Sequence, residues 1–172
     1  MINKKGLSGI VTTVILIAVV IAAIGIVWVV INQLVSEELE EAQSCFDIFG
    51  KIEIDDIYTC YHPATKELDV SVRTEVSIDE LLISVTSKSG SKSFRVTKDG
   101  NSESFAKPYG AADWGASMRA PGKGEGLTYV VDVAAAGVVP EGPADALSIR
   151  VIPTVGGKQC DVADSLVGVQ SC

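Results

Sequence analysis

Four cysteines and one histidine are the residues of this chain best suited to chemistry. Cys45, Cys60, Cys160 and Cys172 all lie beyond residue 44, and none falls earlier. An even set confined to one part of a chain fits disulfides formed in an oxidising compartment. Four cysteines allow three pairings. The local one, Cys45–Cys60 with Cys160–Cys172, is favoured because each bridge then closes a short loop. Closing about 15 residues contributes on the order of 3 kcal/mol, and the bridges would fasten domain ends that otherwise fray. A bridge from Cys45 to Cys160 would instead set the start and the end of the domain side by side. Zinc is not expected, because there is no CxxC and the sole histidine, His62, sits only near Cys60.

Other candidate sites are thin. His62 precedes Pro63 in a loop, and no nucleophile pairs with it by spacing. The Gly122–Gly126 stretch fails the phosphate-loop pattern, since Ser117 stands where the first glycine should be and Gly124 follows Lys123. It reads as a surface turn. Asp99, Asn101 and Glu103 alternate around a turn and offer oxygen ligands to calcium. They nevertheless lack the twelve-residue loop with its central glycine. Asp55-Asp56 reads as an exposed strand end. No catalytic constellation can be named, so the chain is read as a non-enzyme with no cofactor.

The N-terminus is written for chemistry done on the chain itself. Lys4-Lys5-Gly6 is followed by Leu7 through Ser36 without a single charge. A bilayer core of roughly 30 Å needs about 20 apolar residues, so the run is long enough to cross and continue. Two lysines before it, with no basic residue just after, place the N-terminus on the cytoplasmic side. A secretory signal has an apolar run of only about 7–15 residues before a small-x-small site, whereas here Ala22, Ala23 and Gly25 lie mid-span. Basic pair, glycine and hydrophobic helix together resemble the class III signal peptide of type IV pilins, particularly archaeal pilins and archaellins. That resemblance implies cleavage by a membrane prepilin peptidase between Gly6 and Leu7, with Lys4 and Lys5 on the leader and the helix retained. It covers about the first 35 residues. Gly9, third in the mature chain, is similar to a glycine that archaellins often carry. Val11 stands where bacterial type IV pilins carry a glutamate, which archaeal members commonly lack. The same segment also fits an uncleaved signal anchor in which Gly6 is incidental.

From Ile10 to Val35 the run is dominated by isoleucine and valine, weak helix formers in water. In hydrocarbon the backbone must satisfy itself, so the helix forms regardless. Ala18, Ala22 and Gly25 fall at i, i+4 and i+7, a stripe that permits close helix–helix approach. Small residues are also simply common in membrane spans. Trp28 lies near the outer end of a span starting at Ile10, where an interfacial aromatic belongs. Asn32 to Gln43 has no glycine or proline and holds Glu37, Glu38, Glu40 and Glu41. A helix from Leu7 to Gln43 is therefore expected, about 55 Å long at 1.5 Å per residue. The glutamates read as a solvated face or, equally, as charges that keep the helix end out of the membrane.

Beyond Gln43 the composition changes to a β-rich head, residues 44–172. Strand-like runs are Lys51–Ile54, Tyr58–Tyr61, Leu68–Arg73, Leu81–Thr86, Ser93–Thr97, Thr128–Val133 and Leu147–Ile152. Leu68, Val70 and Val72 alternate with Asp69, Ser71 and Arg73, the period of a half-buried strand. Ser89-Gly90 and Lys98-Asp99-Gly100-Asn101 read as turns, and residues 101–126 as a loop containing Tyr109 and Trp114. The expected fold is α+β: a long N-terminal hydrophobic helix, then an antiparallel β-sandwich-like head. Residues 1–6 are the leader, 7–43 the membrane and polymerisation helix, and 44–172 the extracellular head.

The net charge is −8, and Lys4 and Lys5 are the sole charges among the first 36 residues. The remainder is thus strongly acidic, without the Lys/Arg cluster a nucleic-acid face requires. Asn101 is followed by Ser102-Glu103, so the usual N-glycosylation signal is absent there. The resemblance implies a structural subunit of an archaeal type IV pilus-like filament, for adhesion or motility. Its partners would be copies of itself, the membrane, the prepilin peptidase and an assembly platform. It would begin as a membrane precursor and end as a cell-surface filament. The alternatives are a permanently anchored extracellular binding module and, third, an ectoenzyme.

Overall fold

The computed structural model describes residues 4–140 and 147–172, and the side chains of 11–35, 45–140 and 147–172. The chain divides into two compact units at Gln43–Ser44. The side chains of Lys4, Lys5, Gly6 and Leu7, and those of Glu37, Glu38, Glu40 and Glu41, lie outside the described residues.

One helix, α1, runs from Lys4 to Phe46. It begins before Leu7 because a single glycine costs a helix only about 1 kcal/mol and does not end it. It outlasts Gln43 and gives way at the turn Asp47–Gly50, where Gly50 takes φ +72°. A left-handed backbone there suits glycine and stops the helical repeat. Val11–Val35 is 25 residues long, uncharged, and exposed at every position. At 1.5 Å per residue it extends about 37 Å, enough by length and composition to cross a membrane.

The second unit is built of strands β1 (Ile52–Ile54), β2 (Cys60–His62), β3 (Glu67–Thr74), β4 (Glu80–Thr86), β5 (Ser91–Thr97), β6 (Ala106–Pro108), β7 (Glu125–Asp132), β8 (Ser148–Val155), β9 (Lys158–Gln159), β10 (Asp164–Val167) and β11 (Gln170–Ser171). The first sheet orders them β11-β2-β3-β7-β6. β7 pairs with β3 along its whole length, so β1 and β2 share the other edge of β3. The second sheet runs β10-β8-β4-β5, with β9 also on β8. Among the described residues pairing is antiparallel except for β11 on β2, which is parallel. The α+β architecture expected from the sequence is present.

The two sheets turn their apolar faces into one core. Leu68, Val70 and Val72 from the first and Leu81, Ile83, Ile149 and Val151 from the second are completely buried. Asp164 of β10 ties the layers at a corner, its carboxylate accepting the Ile54 N–H at 2.8 Å. All seven expected runs contain a strand, although of Tyr58–Tyr61 only Cys60 and Tyr61 lie in one, Tyr58 falling in a turn. The short β6, β9, β10 and β11 are additional. β6 lies inside the expected loop 101–126. Ser71 departs from its expected exposed position and is only 9% accessible. The chain between β1 and β2 covers it: its N–H donates to Thr59 Oγ1 (3.1 Å), and its carbonyl accepts from Asp55 N (2.9 Å).

The disulfide pairing expected from loop length is wrong. Cys45 bonds Cys160, and Cys60 bonds Cys172, with Cα–Cα distances of 5.4 and 5.1 Å. Loop length favours neighbours only while nothing else brings cysteines together. Here β11 returns alongside β2, Gln170 opposite Cys60, and carries Cys172 to it. The turn after β8 does the same for Cys160, whose N–H donates to the Pro153 carbonyl at 2.9 Å. The start and end of the β-rich unit therefore do lie side by side.

Candidate functional site

Chemistry-bearing groups gather on the outer face of the first sheet, and strand register puts them there. Tyr61 opposes Leu68, and both point into the core; Cys60 opposes Asp69 and His62 opposes Glu67, so these four point outward. The β2–β3 turn is closed by Lys66 N donating to the His62 carbonyl at 2.8 Å, with Lys66 itself at φ 60°. That fixes the end of β2 where His62 sits. Cys172 follows β11 and is held by its N–H on the Tyr61 carbonyl at 3.0 Å.

As a result Cys60, His62, Asp69 and Cys172 place one ligand atom each within 4.8 Å of the others. His62 Nε2 is 3.3 Å from Asp69 Oδ2. The Asp69 side chain is 13% exposed and that of His62 42%, so the pair forms one wall of the surface. A groove of about 270 Å³ opens beside it, lined by His62, Glu67, Asp69, Lys107, Tyr109 and Val130. Lys107 stands 4.4 Å over the Trp114 ring, a cation–π contact that holds both ends of the loop. Tyr109 is largely exposed.

A second depression, about 340 Å³, is lined by Lys98, Asp99, Ser117, Arg119 and Tyr129 among others. Arg119 meets Glu125 with two bonds, Nη1 to Oε2 at 2.7 Å and Nη2 to Oε1. Glu125 Oε2 also accepts the Gly122 N–H at 2.8 Å. These two donors, Arg119 foremost, hold the Glu125 carboxyl down to about 2. Tyr129 is buried, which pushes its phenol above the ordinary value, and its hydroxyl donates to the Arg119 carbonyl at 2.7 Å. This is a structural clasp on the turn at Gly122–Gly126, the stretch that reads as a turn from sequence. An unfolded glutamate titrates at about 4.3. The clasp therefore stabilises fully above that pH and is lost as pH falls towards 2. Glu125→Gln should lower the melting temperature at pH 7, and the gap to the wild type should close between about pH 4 and 2. A gap independent of pH in thermal melts would contradict the charge-based account.

The other residues singled out by sequence lie away from this cluster. Asn101 Oδ1 accepts from Thr97 N at 3.1 Å and its Nδ2 donates to the Arg95 carbonyl at 2.6 Å. Asp55 caps its own turn, accepting from Ile57 N at 3.1 Å. Ala18, Ala22 and Gly25 lie on one exposed face of α1, and a Cβ added at Gly25 would meet nothing within 4 Å. Asp69 is the residue that sequence reasoning missed. It appears there only as one outward member of an alternating strand, and nothing local marks it as opposite Cys60.

No family model, curated protein or solved structure matches the chain.

Proposed function

We propose that this chain is a structural subunit of a type IV pilus-like surface filament, archaeal in style, assembled through α1. The observation that carries the reading is an uncharged helical segment, Val11–Val35, exposed at all 25 positions and preceded by Lys4-Lys5-Gly6. Such a surface needs an apolar environment from outside the chain. At roughly 25 cal/mol per Å² of apolar area, its exposure to water is prohibitive. Lipid supplies that environment to a precursor, and a bundle of identical helices supplies it to a filament. A head-to-tail contact that does not close on itself propagates as a helix. Ala18, Ala22 and Gly25 would let the backbones of neighbouring copies approach. The disulfide-bonded β unit fits an oxidising exterior.

The partners in this reading are further copies of the chain, the membrane, a prepilin peptidase and an assembly platform. A permanently anchored binding module shares the helix and the β unit. What favours it is the groove beside His62 and Asp69. Processing separates the two. Mass spectrometry of the chain from cells that possess a prepilin peptidase should find Leu7 as the mature N-terminus. Intact chains beginning at Met1, and no others, would favour the anchored module.

A further inference from the structure

We propose that Cys60, His62, Asp69 and Cys172 form a redox-gated zinc site: a disulfide when oxidised, a four-ligand Zn²⁺ centre when reduced. The inference is independent of the filament reading. It starts from the convergence of two sulfurs, one imidazole and one carboxylate within 4.8 Å. Those are the donors that zinc takes in fours, at about 2.3 Å to sulfur and about 2.0–2.2 Å to nitrogen and oxygen.

One edge of the tetrahedron is already in place, and the other donor atoms, up to 4.8 Å apart, must settle to about 3.3–3.8 Å. With ligand distances near 2.05 Å its N–O edge is about 3.3 Å, and His62 Nε2 stands 3.3 Å from Asp69 Oδ2. The metal would stand between them in place of their direct contact. The bonded sulfurs must part to about 3.8 Å, the S–S edge for Zn–S bonds of about 2.3 Å. Cys172 can supply that movement by rotating its exposed side chain while its N–H stays on the Tyr61 carbonyl. Cys60, His62 and Asp69 are fixed by the β2–β3 register. A mixed sulfur, nitrogen and oxygen set suits zinc over magnesium or calcium, which prefer oxygen alone.

The chemistry balances in two steps. A dithiol reductant gives two electrons and two protons to the Cys60–Cys172 bridge and becomes a disulfide itself. Zinc then displaces the two thiol protons and binds both thiolates, Nε2 and the carboxylate. A disulfide oxidant reverses this by accepting two electrons from the thiolates, which rejoin and release the ion.

The test uses the full chain in detergent micelles. A phosphine reduces the bridges, consuming one water per bridge and forming the phosphine oxide. Zn²⁺, or Co²⁺ as a coloured substitute, is then titrated. The reduced chain should bind one equivalent and show the visible bands of tetrahedral cobalt with a thiolate charge-transfer band; the oxidised chain should show neither. His62→Ala and Asp69→Asn should each weaken binding at least about tenfold. Cys45→Ser/Cys160→Ser should leave the site intact, and Cys60→Ser/Cys172→Ser should remove it. Zinc should shield Cys60 and Cys172, and not Cys45 and Cys160, from alkylation read by mass. Equal binding by the oxidised chain, octahedral cobalt, or undiminished affinity in His62→Ala would overturn the proposal. So would a reduced chain that unfolds and stays unfolded with zinc present.

Discussion

Replacing Gly6 with a bulky residue such as leucine should leave the chain at precursor mass in the membrane and abolish surface filaments. The effect should be near complete, because every later step in the proposed assembly starts from the cleaved chain. In that proposal the peptidase must bring the bond after Gly6 into its catalytic site. A residue without a side chain lets the backbone approach closely and adopt conformations barred to others. The change should not alter insertion. The apolar segment Val11–Val35 is untouched, and Lys4 and Lys5, which would set orientation in that proposal, remain. Mass and membrane fractionation read both quantities from one culture. Normal filaments built from uncleaved Gly6→Leu chains would show that Gly6 is incidental, and the proposed function would lose its processing step.

The second large effect concerns the crossed disulfides. Cys45→Ser/Cys160→Ser removes a bridge between residues 115 apart. The surviving Cys60–Cys172 bridge, spanning 112 residues, shortens the loop that the lost bridge would close. Counted through that bridge, the effective loop is about 27 residues, for which chain entropy gives about 3.5 kcal/mol. The melting temperature of the β unit should therefore fall by roughly 10 °C or more. Removing both bridges would cost about 8 kcal/mol in the same picture, comparable with the whole stability of an ordinary domain, so the reduced chain would depend on zinc binding to stay folded. Digestion without reduction should recover Cys45 linked to Cys160 and Cys60 linked to Cys172. Recovery of a Cys45–Cys60 peptide would contradict the return of β11 to β2.

Local pattern carries part of this fold and then stops. α1 is legible because thirty uncharged residues leave one physical option, and seven strands are legible because alternation such as Leu68, Val70 and Val72 records a half-buried face. The short strands are not, since β9 and β11 have two residues each and owe their pairing to partners far along the chain. Ser71 reads as exposed by period alone, yet the segment between β1 and β2 folds over it.

Sequence by itself therefore determined the N-terminal helix, the β-rich character of residues 44–172, and the restriction of cysteines to that part. These depend on local composition and period, which are visible in the chain. Only the tertiary structure decided which cysteines pair and that Asp69 and His62 join Cys60 and Cys172. Those contacts are made across strands, where β2–β3 register sets Cys60 against Asp69 and parallel β11 delivers Cys172 from 112 residues away. The entropy of closing so long a loop is met by the burial of the whole core, a sum over many residues that no local stretch of sequence contains.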